Sequence, residues 1–390
     1  MPQRQGPSRR ALIGAAAASL LTAPPALAAP PAETLVYVGT QGTEPGQGVF
    51  AARLDARTGR LTPLGLAVEL QRPTWLAAHP ALPVLYAVSE VGNDGKSQGS
   101  VHTLRADPAT GRLTPTDSAP SGGGGPTHLA LDTASKTMLV ANYGTGQVAA
   151  LPVLADATLG PPASVQANQG SGPNPRQKGP HAHGAVLDPS RRFVLVADLG
   201  ADRVFVYRYD RAGHQLSPAP TPFEALPPGT GPRHLAFHPN GRLAFLISEL
   251  VPELRAYRWD ARHGRLSLVQ TLSLVGDPTK ASVAKGAELA VSRDGRFVYT
   301  SVRGEDVLVV HAVEPRTGRL TEIQRLPAGG QAPWSFAIDP SGRWMLVANQ
   351  GSGAVVVFAR DPVSGRLSAT SESMAVTKPT SIAYLASGRR

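Results

Sequence analysis

Cysteine is absent from this 390-residue sequence, and aromatic residues make up only 5% of it. Without cysteine the protein can form no disulfide, thiolate nucleophile, cysteine-ligated zinc or iron–sulfur centre, and no covalent c-type haem. The glycine-rich stretch at 121–126 lacks the Lys-Ser/Thr pair and the helical context of a phosphate-binding loop. We therefore expect a protein without a cofactor, in which catalytic groups act through oxygen or nitrogen.

Long hydrophobic runs are missing as well. The apolar run at residues 11–21 is too short to span a bilayer. It follows the pair Arg9-Arg10 and precedes Ala-Leu-Ala at 26–28, which is typical of a bacterial twin-arginine export signal. We predict that residues 1–28 are a signal peptide recognised by the twin-arginine translocase, and that the mature protein is periplasmic or secreted and has no membrane span.

The composition that remains favours a folded, turn-rich protein. Hydrophobic residues make up 42% of the chain, together with 41 Gly and 37 Pro, so an all-β fold is more natural than disorder. The formal net charge is +10, but many Arg residues occur singly in turns and do not form a cluster. We interpret the charge as dispersed and expect no nucleic-acid partner.

A repeat of about fifty residues runs through the chain. The segment GPRHLAFHPNGRLAFLISEL at 231–250 has two alternating apolar stretches joined by a turn. A third such stretch and a turn like Thr-Gly-Arg-Leu follow it, so that each unit has four short strands, the pattern of a propeller blade. The six copies begin near residues 73, 126, 181, 231, 286 and 333.

The two ends of the chain complete a seventh blade. LVYVGT and GVFAARLD, near the N-terminus, have the pattern of the second and third strands of a blade whose first strand is missing. The missing strand is PTSIAYLASG at 379–388, and pairing it with the N-terminal strand would leave no free sheet edge. We predict an all-β, seven-bladed β-propeller over residues 33–388, closed in its first blade by the N- and C-terminal strands.

The functional residues are expected where the copies differ. In each copy the start of the first strand, A, and the end of the second strand, B, lie on one face, and the repeated Asp-Pro-x-Gly-Arg turns lie on the other. Those turns have a structural explanation. The strand tips differ from blade to blade, which predicts a binding site at the central mouth. Candidate residues at or beside these tips are Asn142, Tyr143, His181, His183, Arg233, His234, Glu249, Glu288, Arg303 and Asn349.

Several motifs resemble those of the seven-bladed propeller lactonases. They are GPHAH at 179–183, GPRHLAFHPNG at 231–241, SEL at 248–250, AELAVSRDGRFVYTSVRG at 287–304 and FAIDPSGRWMLVANQ at 336–350. That family includes the cycloisomerase-type 6-phosphogluconolactonases and is related to the carboxymuconate cyclases. The resemblance implies hydrolysis of a sugar-acid lactone, which is phosphorylated or, given the predicted export, unphosphorylated.

The resemblance also implies the catalytic residues. They are a His of the GPHAH stretch, His183 or His181, and with it Arg233, Glu249 and Arg303; Val302 stands where the family usually has Asn. Lactone hydrolysis needs a base and donors for the oxyanion. Glu249 or His183 could be the base, and we favour His183 because a Glu between two Arg is a weak base. Arg233 and Arg303 would bind the oxyanion or a substrate carboxylate. His181, His234, Glu288, Asn142, Tyr143 and Asn349 are predicted to bind substrate.

Three alternatives remain open. A lactone-forming cycloisomerase would run the chemistry in reverse, and a non-catalytic periplasmic propeller would bind a ligand or a partner protein. A calcium-dependent lactonase would need converging carboxylates. Glu90, Asp198, Glu249 and Glu288 lie in separate blades, so we expect no metal site.

Overall fold

The computed structural model describes residues 1–3 and 33–385. The chain divides into Met1–Pro30 and Pro31–Arg390, and the strands described here belong to the second unit. The predicted signal peptide, apart from its first three residues, lies outside the described residues. Within the part that is described, no helix is long and apolar enough to cross a membrane.

Residues 33–385 form seven four-stranded antiparallel sheets. Blade 1 contains β1 Glu33–Thr40, β2 Gly48–Asp55 and β3 Leu61–Glu69; blade 2, β4 Leu76–Ala78, β5 Val84–Ser89, β6 Ser100–Ala106 and β7 Leu113–Pro120; blade 3, β8 Pro126–Asp132, β9 Thr137–Asn142, β10 Gln147–Pro152 and β11 Ser164–Ala167. Blade 4 contains β12 Ala182–Leu187, β13 Phe193–Asp198, β14 Arg203–Asp210 and β15 Gln215–Ala225; blade 5, β16 Pro232–Phe237, β17 Leu243–Ser248, β18 Glu253–Asp260 and β19 Arg265–Ser273. Blade 6 contains β20 Lys285–Val291, β21 Phe297–Arg303, β22 Val307–Val313 and β23 Leu320–Pro327; blade 7, β24 Pro333–Ile338, β25 Trp344–Asn349, β26 Ala354–Arg360 and β27 Leu367–Ala375, before β28 Pro379–Leu385. A 3-10 turn at Pro278–Lys280 precedes blade 6.

The strands keep the order A to D from the inside of each blade to its outer edge. The second strands are buried along almost their whole length, as in β17, because neighbouring blades cover both faces of the sheet. The outer strands, such as β15, expose most of their residues. An apolar cluster lies between each pair of adjacent blades, for example Leu195, Leu246 and Trp259 between blades 4 and 5.

Blade 1 is closed by the two ends of the chain, as the sequence predicts. β28 pairs antiparallel with β1 from Leu35↔Leu385 to Thr40↔Pro379. The resulting sheet has the order β28-β1-β2-β3, so the fold is a seven-bladed β-propeller. Residues 386–388 of the predicted strand lie outside the described range.

The propeller has two distinct faces. We call the face where strands A begin and strands B end the mouth face, and the face with the A–B and C–D turns the turn face. The Asp-Pro-x-Gly-Arg motif at 339–343 is structural there: Asp339 accepts backbone N–H groups of Ser341 and Arg343. Asp188 does the same in the related turn at 188–192. Arg192 then donates to the Ala261 carbonyl of the next blade, and Arg343 repeats the contact with Ala56 across the closure.

Candidate active site

A pocket of about 280 Å³ opens on the mouth face. All seven blades or their connecting segments contribute to it. Its walls are Gln41, Arg72, Thr74, Trp75, Glu90, Asn93, Thr127, Tyr143, Arg176, His183, Arg233, Glu249, Arg303 and Trp334. The four predicted catalytic residues are therefore together in one pocket.

β-Bulges in strand A direct several of these side chains inward. The pairing of β12 with β13 skips a residue between Ala182 and Gly184, and that residue is His183. Arg233 is skipped in the same way between Pro232 and His234, as are Thr127 and Trp334 in their blades. A bulge redirects a side chain without ending the strand. The column that differs from blade to blade in the sequence is thus the bulge position.

Glu249 lies at the centre of the charged groups. Its Oε2 is 3.1 Å from Arg233 Nε and 3.0 Å from Arg303 Nη2, and its Oε1 is 2.5 Å from Arg176 Nη1. Burial alone would raise the pKa of this carboxyl, but the positive charges of Arg303, Arg233 and Arg176 outweigh it and hold the pKa well below its usual range. Glu249 is therefore ionised at neutral pH and is a weak base.

His183 differs from Glu249 in its charge. It is buried, with Nε2 3.6 Å from Glu249 Oε2, and Nδ1 has no hydrogen-bond partner among the described residues. Burial, with Arg233 and His234, lowers the pKa of His183 well below 6.5 and outweighs the opposite effect of Glu249. The imidazole is therefore neutral at pH 7 and can accept a proton, and Glu249 is close enough to stabilise the imidazolium that results.

The two predicted arginines differ in how they are held. Arg233 is fully buried and donates from Nη1 to the Ala287 carbonyl at 2.6 Å. Burial and Arg303 lower its pKa to about 10, so it remains a cation at pH 7. Arg303 lies over the Trp334 ring at 4.3 Å, and its buried Nε has no hydrogen-bond partner in residues 33–385. That N–H is a buried donor to which no described residue supplies an acceptor. Val302 beside it is buried in the apolar cluster between blades 5 and 6.

Alignment of the repeats within this sequence does not identify Arg176. It lies in the long segment that joins β11 to β12, and its side chain is 45% exposed. Arg176 Nη2 donates to the Tyr143 hydroxyl at 2.9 Å, while its neighbour Gln177 is buried and donates to Leu199 O and Asp202 Oδ1. The segment has no counterpart of equal length in the other blades. The unusual length of this segment, together with its glycines and prolines, is the feature of the sequence that could have indicated a functional loop.

The predicted substrate-binding residues occupy three different places. Tyr143 lines the pocket, and His181 stacks on it at 4.4 Å without lining the pocket itself. His234 and Glu288 form a buried pair with Nδ1 and Oε1 2.9 Å apart, packed against His183, His128 and Trp75, and they do not line the pocket either.

The prediction for Asn142 and Asn349 is corrected by their positions. Both are fully buried, and their amide groups donate to the backbone carbonyls of Ser121 and Ala328. They tie the end of strand B to the preceding interblade segment, which is a structural role. The residue that follows the strand faces the mouth instead, because successive side chains point to opposite sides.

The lining of the pocket is polar, with more arginines than carboxylates. Four arginines and two carboxylates line it, the second carboxylate being Glu90, which pairs with Arg72 at 3.1 Å. Three buried atoms of lining residues, Thr74 Oγ1, His183 Nδ1 and Arg303 Nε, have no partner within the described chain. Buried polar atoms normally have partners, so these are available to a ligand. No group of three or more potential metal ligands was found in the described residues.

Comparisons with known proteins agree with this arrangement. Residues 35–384 match the family described as lactonase, 7-bladed beta-propeller. The 6-phosphogluconolactonase of Bacillus subtilis is 32% identical over 305 residues, which cover 78% of this chain and 85% of that protein. The 6-phosphogluconolactonase of Formosa agariphila is 27% identical over 78% of this chain and 86% of its own length. The periplasmic gluconolactonase of Pseudomonas aeruginosa is 36% identical, with a TM-score of 0.84 over 91% of this chain and 99% of that one.

Proposed function

The chain belongs to the lactonase family of seven-bladed β-propellers, and we infer that it is a hydrolase that opens the ring of a sugar-acid lactone. The relatives named for 6-phosphogluconolactonase and gluconolactonase activity support this reaction class. The observation that carries the proposal is the neutral His183 beside an ionised Glu249 that is held by three guanidinium groups.

The reaction needs one proton transfer and one developing negative charge. Water adds to the lactone carbonyl carbon while His183 accepts its proton. The oxyanion formed at the carbonyl oxygen is stabilised by the unpartnered Arg303 Nε–H and by the charge of Arg233. When the ring C–O bond breaks, His183 returns the proton to the ring oxygen, and the acid product releases a proton to solvent. Glu249 holds the two arginines in place and stabilises the imidazolium.

The charge of the pocket bears on the substrate. A neutral aldonolactone develops negative charge only during reaction, whereas four arginines against two carboxylates leave an excess of positive charge in the free pocket. We propose that the substrate carries an anionic group in addition to its lactone ring, a phosphate or a second carboxylate. Arg176 and Arg72 at the exposed rim would bind it, since guanidinium groups pair with either anion in a bidentate manner.

We also propose a periplasmic or secreted location. The twin-arginine pattern at residues 1–28 supports it, and the neighbour from Pseudomonas aeruginosa is itself described as periplasmic. In that compartment a carboxylate-bearing sugar lactone would be a more accessible substrate than a phosphorylated one.

A panel of lactones tests the proposal. The purified protein from residue 29 onward is given a neutral aldonolactone, a phosphorylated aldonolactone and a carboxylate-bearing aldarolactone, and proton release is followed at pH 7. We expect hydrolysis of the charged lactones with a KM at least about tenfold below that of the neutral one. Equal KM values would contradict the anionic substrate, and proton release no faster than the spontaneous rate for all three would favour the non-catalytic alternative.

A further inference from the structure

The turn face carries most of the exposed positive charge of the propeller. The thirteen turn segments between strands A and B or C and D contain fifteen Lys or Arg and seven Asp or Glu. The segments of the mouth face, counted in the same way, contain six and eight. All fifteen cations are exposed: Arg57, Arg60, Arg112, Lys136, Arg191, Arg192, Arg211, Arg242, Arg262, Arg293, Arg296, Arg316, Arg319, Arg343 and Arg366. The fold thus collects on one face the residues that are dispersed along the sequence.

The acids of this face take part in the turns, and the strand ends that flank the segments add four more, Asp55, Asp132, Asp210 and Asp260. Each of the seven carboxylates accepts a backbone N–H of its own turn, as Asp107 does from Ala109 and Asp361 from Val363. Two of these seven acids, Asp188 and Asp339, are buried, and the other five are exposed. Several cations project from the face, and the Arg316 side chain is 93% exposed, whereas Arg192, Arg296 and Arg343 donate to backbone carbonyls of the neighbouring blade. A partner approaching this face would still meet more guanidinium groups than carboxylates.

Three exposed aliphatic side chains also lie on this face. Leu82, Leu154 and Val363 lie in three of the same turn segments, and Val363 is 74% exposed. The thirteen segments contain no Phe, Tyr or Trp. The surface is therefore basic with aliphatic tips, and it lacks the aromatic rings on which nucleic-acid bases stack.

We propose that the turn face docks on an anionic lipid bilayer. Cationic side chains near such a surface are attracted to its headgroups, and aliphatic tips can enter the boundary between headgroups and acyl chains. In this orientation the mouth face, on the opposite side of the propeller, remains open to substrate. The proposal does not depend on the lactonase activity, because no turn-face residue lines the pocket.

Vesicle sedimentation tests the docking. The protein from residue 29 onward is mixed with vesicles of phosphatidylcholine alone or with one third phosphatidylglycerol. We expect binding only to the anionic vesicles, and at least about tenfold weaker binding at 500 mM NaCl than at 50 mM, because salt screens exposed charges. Equal binding to both vesicle types, or no binding to either, would overturn the proposal.

Two variants with the same net charge distinguish binding through the turn face from binding through the overall positive charge of the protein. The first carries Arg293→Glu, Arg316→Glu and Arg366→Glu on the turn face; the second carries Lys96→Glu, Lys280→Glu and Lys378→Glu on the mouth face. All six residues are exposed, and none lines the pocket. We expect the first variant to lose at least about tenfold in vesicle affinity and the second less than about threefold. Equal losses of vesicle affinity in the two variants would show that binding depends on net charge alone and would contradict a docking face.

Two further measurements distinguish lipid from other polyanions. Val363→Ser should weaken vesicle binding by about threefold without affecting salt dependence, since it removes apolar insertion and no charge. Duplex DNA at the same phosphate concentration should compete poorly with the vesicles. If DNA binds at least as tightly as the vesicles and Val363→Ser has no effect, the face is a nucleic-acid surface and the lipid proposal is wrong.

Discussion

At the scale of single residues, Arg303 is the most direct probe of the chemistry. Its Nε–H is unpartnered within the described chain, and it lies at the mouth over Trp334. Arg303→Gln should lower kcat by roughly two to three orders of magnitude, as loss of an oxyanion donor does. Steady-state kinetics on the best lactone of the panel measures it.

Gln350→Ala is the matched control for that variant. Gln350 immediately follows strand B in blade 7, Arg303 is the last residue of strand B in blade 6, and the Gln350 side chain donates to Gln41. A loss in Gln350→Ala as large as that in Arg303→Gln would contradict the assignment. Arg233 is a poorer probe, since its complete burial means that Arg233→Ala leaves Glu249 less compensated, at a cost in stability of about 3–5 kcal/mol.

Three buried histidines make the stability depend on pH. Burial lowers the pKa of His128, His183 and His234 below 6.5, so the unfolded chain binds more protons than the native state as the pH falls below that value. The free energy of unfolding should decrease on acidification, by up to about 1.4 kcal/mol per pH unit for each histidine.

Urea unfolding at pH 7, 6 and 5 measures this dependence. Glu249 adds to it only below its ordinary pKa of 4.5, so the range from pH 7 to 5 isolates the histidines. Burial also lowers the pKa of His311, to about 4, and those of His102 and His79. His128→Gln, which lies outside the pocket, should therefore reduce the slope by the share of one histidine, less than a third. A free energy of unfolding that is constant from pH 7 to 5 would mean that these histidines take up protons in the native state as readily as in the unfolded chain.

At the scale of elements, the closing strand β28 is the first test of the fold. Residues 379–385 pair with β1 and contribute Ala383 and Leu385 to one apolar cluster. Deleting residues 379–390 should expose a strand edge and apolar surface, with a loss of several kcal/mol or aggregation. Thermal melting and light scattering measure the effect.

Deleting residues 386–390 alone is the control for the closing strand. This change leaves the paired residues of β28 intact, so Tm should stay within about 2 °C of the parent. A similar Tm for the longer deletion would be incompatible with the closure.

The segment between β11 and β12 is the second element with a testable role. If Arg176 binds the anionic group of the substrate, Arg176→Gln should raise KM by about tenfold to a hundredfold for charged lactones, the value of one charge-assisted hydrogen bond. kcat should change less, because the base and oxyanion donors remain. Lys178→Gln, exposed two residues along the same segment, is the control and should leave KM within about twofold.

The strands and loops also show which site residues could be predicted from the alignment of the repeats and which could not. Alignment of the repeats identified the positions of His183 and Arg233, because the residues at the strand tips differ from blade to blade while the strand interiors do not. It could not find Arg176, whose segment aligns with no other blade. It misassigned Asn142 and Asn349 because adjacent positions at the end of strand B differ in the side of the sheet they face, which depends on register.

At the scale of the whole molecule, the fold and its closure follow from periodicity, whereas the distribution of charge does not. Single arginines at similar places in successive repeats look dispersed in the sequence. The propeller places every such turn on one face, so the surface potential is a property of the ring and of no single repeat.

Export is a whole-molecule property that remains a prediction. Replacing Arg9 and Arg10 by Lys should leave the unprocessed precursor in the cytoplasm if the twin-arginine route is used. Cell fractionation followed by mass measurement of the N-terminus would show it. Normal processing and periplasmic accumulation of that variant would contradict the predicted route.

The closure has a consequence for how the protein is made. Thr380 donates to the Gly39 carbonyl across 341 residues of sequence. At translation rates of about 5–20 residues per second, the ribosome needs roughly 17 to 70 seconds to make that interval. Throughout this time β1 has been synthesised but its partner has not, and its edge is open to other chains. The open edge of β1 therefore persists for roughly 17 to 70 seconds in the nascent chain, and a prematurely terminated product never acquires a closed ring.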